Sequence, residues 1–186
     1  MAASRLALLL FVTSLIVVPA LADEPTAAAK TATAREVLAK TDTDLLKALE
    51  SAQKQVPDGK PLAVRVEKDA GKARFGAYFL AEDKIKEVEI DATSGDMLKS
   101  KEMEGSRDTM LSQAKKAVAD AKVSLPQAIK ISMDQVKGGK AFEAEFRLES
   151  GKPVVEVELL VDEKPVSVHV DALDPKTVRI KERKKD

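Results

Sequence analysis

The chain has 186 residues, enough for one or two small domains. Its 31 basic and 31 acidic side chains cancel, so no strong field directs it to nucleic acid or to an anionic surface. With no cysteine and a single histidine, His169, it excludes disulfides, thiolate metal sites, a cysteine nucleophile, a cysteine-borne lipid anchor and any two-histidine zinc motif.

The first residues read as a secretion signal. Arg5 supplies a positive start, 6–18 form a 13-residue apolar run, Pro19 breaks it, and Ala20-Leu21-Ala22 is a small-x-small cleavage site before Asp23. The run falls short of the roughly 20 residues that span a bilayer. Residues 1–22 are therefore expected to be removed, leaving an exported chain with no stable membrane insertion. Lack of disulfides suits a bacterial periplasmic or extracellular address. Residues 23–33 are small, polar and aperiodic, and read as a flexible lead-in.

An internal repeat governs the remainder of the chain. At an offset of 80, positions 45–98 and 125–178 share 13 identities in 54; chance in this composition would give about 4. The identities fall on core and turn positions: Leu45/Leu125, Ala48/Ala128, Gly59-Lys60/Gly139-Lys140, Gly71-Lys72/Gly151-Lys152, Asp91-Ala92/Asp171-Ala172. Each copy opens with a helix. Leu45, Ala48, Leu49, Ala52 and Val56 make one stripe; Leu125, Ala128, Ile129, Ser132 and Val136 make the other. Asp44 is the first N-cap, and Ser124 with Gln127 reads as a capping box for the second.

Three alternating strands come next in each copy, at 62–66, 74–80 and 85–90, and more clearly at 142–148, 155–161 and 166–170, joined at hairpin-length turns. One apolar and one wet face imply a helix on a half-buried antiparallel sheet. A further helix is expected within 107–122, with a shorter counterpart at 34–40. The fold expected is α+β: two tandem units, each a helix packed on a three-stranded antiparallel sheet, with an additional connecting helix. Unit 1 spans 34–98, a linker 99–105, unit 2 with its connecting helix 106–180, and a charged tail 181–186.

This layout resembles the PepSY domain, a family found in propeptides of secreted metallopeptidases and, alone or in tandem, in exported bacterial proteins. The resemblance rests on Leu125-Pro126-Gln127-Ala128, Gly138-Gly139-Lys140, Val155-Glu156-Val157-Glu158 and Val168-His169-Val170-Asp171-Ala172 in copy two. In copy one it rests on Leu45-Leu46-Lys47-Ala48, Gly59-Lys60 and Val88-Glu89-Ile90-Asp91-Ala92-Thr93-Ser94-Gly95. The family's central tyrosine is replaced by Phe75 and Val155, and Pro175 stands where copy one has Gly95. The resemblance implies a non-enzymatic module that restrains a peptidase or binds another envelope protein, and it transfers no catalytic residue.

Candidate surface residues have two readings each. His169 is placed on the wet side of its strand, as a pH-sensitive group or one weak metal ligand, or as a plain surface histidine where copy one has Glu89. Glu143, Glu145, Glu156 and Glu158 form an outward acidic ladder for a cation or basic peptide, or pair across strands with Arg147 and Lys152. Asp91 and Asp171 cap turns, or contact a partner at matched places. An exposed sheet edge could accept an extended peptide, unless the sister copy covers it. No nucleophile–base pair or phosphate loop can be assembled, and no cofactor is implied. The expected function is an exported binding module, with a peptidase as partner; the alternative is a structural or cation- or ligand-sequestering envelope protein.

Overall fold

The computed structural model describes residues 25–103 and 108–182; the apolar run and its cleavage site lie outside the described residues. In chain order the elements are α1 (Ala27–Leu38), α2 (Leu45–Gln53), β1 (Lys60–Asp69), β2 (Lys72–Ala81), β3 (Lys84–Asp91), β4 (Met97–Glu102), α3 (Asp108–Ala119), α4 (Leu125–Gln135), β5 (Lys140–Glu149), β6 (Lys152–Val161), β7 (Lys164–Asp171) and β8 (Val178–Glu182).

The two expected three-stranded units are not what forms. All strands join one eight-stranded antiparallel sheet in the order β4-β3-β2-β1-β5-β6-β7-β8, carrying four helices. Each repeat contributes four strands. The fourth, β4, occupies the segment expected to open the linker, and β8 runs into the expected charged tail. Both are edge strands, so neither needs the apolar alternation that marks a half-buried strand. The helix of residues 34–40 is also longer than expected: α1 is as long as α3 and starts inside the expected lead-in.

The repeats meet through β1 and β5. Ala63 pairs with Glu145, Val64 with Ala144, and Arg65 with Glu143. Val64 and Ala144 are themselves 80 residues apart, so a pseudo-twofold axis passes between them. The rest of the register obeys it except at the outer edge, where β3–β4 shifts between Glu89 and Ile90 and β7–β8 does not. Bulges fall at Pro61/Ala63 in β1 and at Ala141/Glu143 in β5. The β1–β2 and β5–β6 turns put Ala70-Gly71 and Ser150-Gly151 in the left-handed region, and the next hairpins do so with Glu82-Asp83 and Asp162-Glu163. Consecutive positive φ values make the right-twisted two-residue turn that antiparallel hairpins prefer.

Each amphipathic helix lands where its stripe directs. α2 packs on β1, β2 and β3, and α4 on β5, β6 and β7. Their stripes share one core with Phe75, Phe79, Val88 and Ile90 on one side and Val155, Val157, Leu159 and Val168 on the other. Side chains of this kind contribute about 1.5–3 kcal/mol each when fully buried. Asp44 accepts from the Lys47 amide, and Ser124 with Gln127 completes its capping box. Ser132, the polar member of the second stripe, donates its hydroxyl to the Ala128 carbonyl and so is satisfied inside the core.

The glycines shared at 59 and 139 have a packing reason. A Cβ on Gly59 would meet Val56 Cγ1 at 2.6 Å, and one on Gly139 would meet Leu159 Cδ2 at 2.9 Å and the Val136 carbonyl oxygen at 3.0 Å. The chain leaving each helix passes too close to the sheet for any side chain. Gly139→Ala is expected to cost about 1–3 kcal/mol by overpacking, read as a lower urea midpoint. Gly151→Ala, at φ +80° with open space around it, carries backbone strain alone and should cost less.

Candidate functional site: the charged face of the sheet

One face of the sheet carries the helices α2 and α4. The other carries ionisable side chains drawn from all eight strands. On copy one, Arg65 Nε lies 2.7 Å from Glu67 Oε1 and its Nη2 2.9 Å from the Tyr78 hydroxyl, with the guanidinium 4.9 Å above the Tyr78 ring. The Tyr78 hydroxyl in turn donates to Glu67 at 2.9 Å. Arg74 reaches Glu67 (3.1 Å), Asp69 (3.0 Å) and Glu89 (2.8 Å), and Lys101 of β4 closes on Glu87 at 3.0 Å. Glu67 has room to lie flat on the sheet because position 76 is glycine; a Cβ there would sit 2.8 Å from Glu67 Oε1.

Copy two builds a different network at the same places. Arg147 pairs with Glu145 and lies 2.8 Å from Glu156 Oε2. Ser167 donates to Glu156 Oε1 at 3.0 Å. His169 Nδ1 lies 2.6 Å from Glu149 Oε1, and its Nε2 3.6 Å from Glu156 Oε1. Arg179 of β8 holds the second Glu149 oxygen at 2.6 Å. Lys30, on α1, reaches Glu143 at 2.9 Å.

The expected wet acidic ladder is thus a buried one. Glu143, Glu145, Glu156 and Glu158 are all buried, and so is His169, at 5% exposure. Strand alternation correctly separates them from the apolar face. It cannot show that long neighbours fold over them. The carboxylates form a floor, and the cations lie above it: Glu87 and Glu158 are 3% and 4% exposed, while the side chains of Arg147, Lys101 and Arg179 are 27%, 41% and 52% exposed. Aliphatic stems cover the floor and charged heads remain at the water.

Register makes the copy-two floor electrostatically tense. Glu143 stands directly opposite Glu158, and Glu145 directly opposite Glu156. Like charges so placed oppose each other. Burial, first of all, then Glu143 and Glu156, push the Glu145 carboxyl above its ordinary range, Arg147 resisting. Glu67 goes the other way: burial would raise it, but Arg65, Tyr78 and Arg74 together hold it below. Glu149 is likewise held low, the Arg179 and His169 contacts overcoming its partial burial.

Asp91 and Asp171 sit at matched strand ends and serve matched turns. Asp91 accepts from the Thr93 and Ser94 amides at 2.8 and 2.9 Å, and Asp171 from the Leu173 amide at 2.8 Å. The amides of Ser94 and Thr93 lower the Asp91 carboxyl. These two aspartates stand apart from the ion networks. The outer edges, β4 and β8, carry Lys99 and Lys101, Arg179 and Lys181, and β3–β4 adds a register shift at Glu89/Ile90; such features blunt an edge against strand addition. Among the described residues, no group of three or more His, Cys, Asp or Glu is arranged to hold a metal ion. Nor, among them, is any helix long and apolar enough to cross a membrane.

The site residues of copy one escaped the sequence reading. Arg65, Glu67, Arg74, Tyr78 and Glu87 lie at the offset-80 counterparts of copy-two face positions, as Glu89 does to His169, so the repeat itself held the signal. No family model and no curated protein matches the chain. Among solved structures it is similar to a protein from Clostridium difficile 630 described as a "putative lipoprotein", at 16% identity and a TM-score of 0.43, over 70% of this chain and 87% of that one. A likeness of that extent decides neither fold nor function.

Glu145 and Glu67 predict opposite pH signatures. A carboxyl raised in the folded state weakens folding as pH climbs from its ordinary value of 4.5 through its raised one, so Glu145→Gln should melt above the parent at pH 7, the gap closing below about pH 4. A carboxyl lowered on folding contributes stability that is lost as pH falls through its lowered value, so Glu67→Gln should melt below the parent at pH 7, by about 1–3 kcal/mol, and match it in acid. Gly76→Ala, which displaces the Glu67 carboxylate, should behave as Glu67→Gln does. Thermal melts from pH 3 to 8 read all three.

Proposed function

We propose that the protein is an exported, non-enzymatic binding module that docks a folded protein partner on the charged face of its sheet, and that the partner is a peptidase of the cell envelope. The supporting observation is where the repeats differ. The identities at offset 80 fall on core and turn positions. On the charged face the repeats differ: Arg65 and Glu67 correspond to Glu145 and Arg147 with the charges exchanged, Gly76 and Tyr78 to Glu156 and Glu158, and Glu87 and Glu89 to Ser167 and His169. Packing alone would favour the same solution twice. Two different, internally bonded patterns on one pseudo-symmetric frame suit an asymmetric macromolecular surface.

The ion pairs also hold long side chains in one conformation, which lowers the entropic cost of docking. The PepSY resemblance supplies the partner class, and the signal-like N-terminus supplies the address.

The test is a titration of the mature chain into peptidases exported by the same cell. Stoichiometric slowing of one of them is expected, and Arg147→Glu together with Arg74→Glu should weaken it at least tenfold while an Asp91→Asn control does not. No slowing of any co-exported peptidase, or slowing that survives the double reversal, would overturn the proposal.

A further inference from the structure

Helices α1 and α3 stand at the offset-80 relation, and each reaches into the other repeat. α1 precedes repeat one, yet it packs on β5 and β6 as well as β1. Its Ala34 and Leu38 share a small apolar cluster with Phe142 and Leu160 of repeat two, with Val66 against it. Its Arg35 donates to the Glu163 carbonyl in the β6–β7 turn, with Nε at 2.8 Å. α3 precedes repeat two and packs on β1 as well as β5 and β6. Its Lys115 lies 2.8 Å from Asp83 in the β2–β3 turn of repeat one. The two contacts join equivalent positions, since 35 and 115 differ by 80 and so do 83 and 163, although the first ends on a backbone carbonyl and the second on a carboxylate.

The seam creates the need for such contacts. β1 and β5 are ten residues each but pair at three positions. A ladder that short leaves the rest of both strands without each other, and both helices pack on β1 and β5 at this seam.

We propose that α1 and α3 are reciprocal clamps, each seated on its own repeat and reaching across the seam, so that each repeat is also braced by a helix belonging to the other. If the charged face is the docking surface, as proposed above, the clamps also fix the angle between its two halves.

The chain contains its own reporters: one tyrosine, Tyr78 in repeat one, no tryptophan, and one histidine, His169 in repeat two. Urea unfolding of the full mature chain, followed by Tyr78 fluorescence and by the His169 ring-proton NMR signals, therefore reads the repeats separately. The two midpoints should coincide in the parent. Leu38→Ala in α1 should lower the His169 midpoint at least as much as the Tyr78 midpoint, by roughly 1 M urea. The counterpart Val118→Ala in α3 should lower that of Tyr78. Arg35→Ala and Lys115→Ala make the same comparison with smaller shifts if the core variants fail to fold. A variant that moves only the reporter of its own repeat, or separate midpoints in the parent, would overturn the clamp. No partner enters the measurement, so its failure would leave the docking proposal standing, and failure of the peptidase titration would leave the clamp standing.

Discussion

The structure depends on the pairing of β1 with β5. Each repeat alone would end in an unpaired inner strand whose amides and carbonyls have only water or another chain to bond. Pairing the two inner strands removes both edges at once. It also dictates what the residues at the join must be. On the helix side Val64 meets Ala144, both fully buried, small enough for one core to run through beneath α2 and α4. On the other side Arg65 meets Glu143, an opposed pair that pins the register. A slip of one residue would carry Arg65 into the core and Val64 into the charged layer.

From that join the charged face acquires its character. Burying carboxylates costs free energy unless they are paired and bonded. Copy one meets the condition with a closed set around Glu67, reached by two arginines and a tyrosine hydroxyl. Copy two sets four glutamates in two directly opposed pairs and compensates with Arg147 from within the sheet and Lys30 from α1. Neither member of the Lys30–Glu143 contact exists in copy one, where Ala63 stands for Glu143, or in α3, where Met110 stands for Lys30. The carboxylate and its counter-charge both belong to the second network alone, on elements 113 residues apart. Replacement of such groups by apolar ones is often neutral or stabilising, so the docking proposed above would give this charged face a reason that folding stability alone does not.

Much of the frame was legible in the sequence, and the reason is periodicity. The stripes of α2 and α4, their caps at Asp44 and Ser124, and the shared turn glycines are local signals, and each sits where its spacing places it. β4 was not legible, because Met97 to Glu102 is an edge strand exposed along its length and has no apolar face to alternate. α1 was hidden by composition: its Ala-Ala-Ala-Lys-Thr-Ala-Thr run resembles a linker until the sheet offers Phe142 and Leu160 to pack against. For the site, alternation showed which side of the strand Glu143, Glu145, Glu156, Glu158 and His169 occupy. It could not show their burial, which comes from side chains on other strands and from a helix distant in the chain. The joining of two sheets into one was invisible for a related reason: nothing in β1 or β5 differs locally between a free edge and a paired one.

The β1–β5 pairing is open to direct measurement, because the chain has no cysteine of its own. Directly opposed residues of an antiparallel pair have Cα atoms about 4.5–5.5 Å apart, within disulfide reach. Arg65→Cys with Glu143→Cys, oxidised in the dilute full-length protein, should close a disulfide within single molecules, detected by mass and by altered migration without reduction. Free thiols, or disulfides only between molecules, would contradict the single sheet.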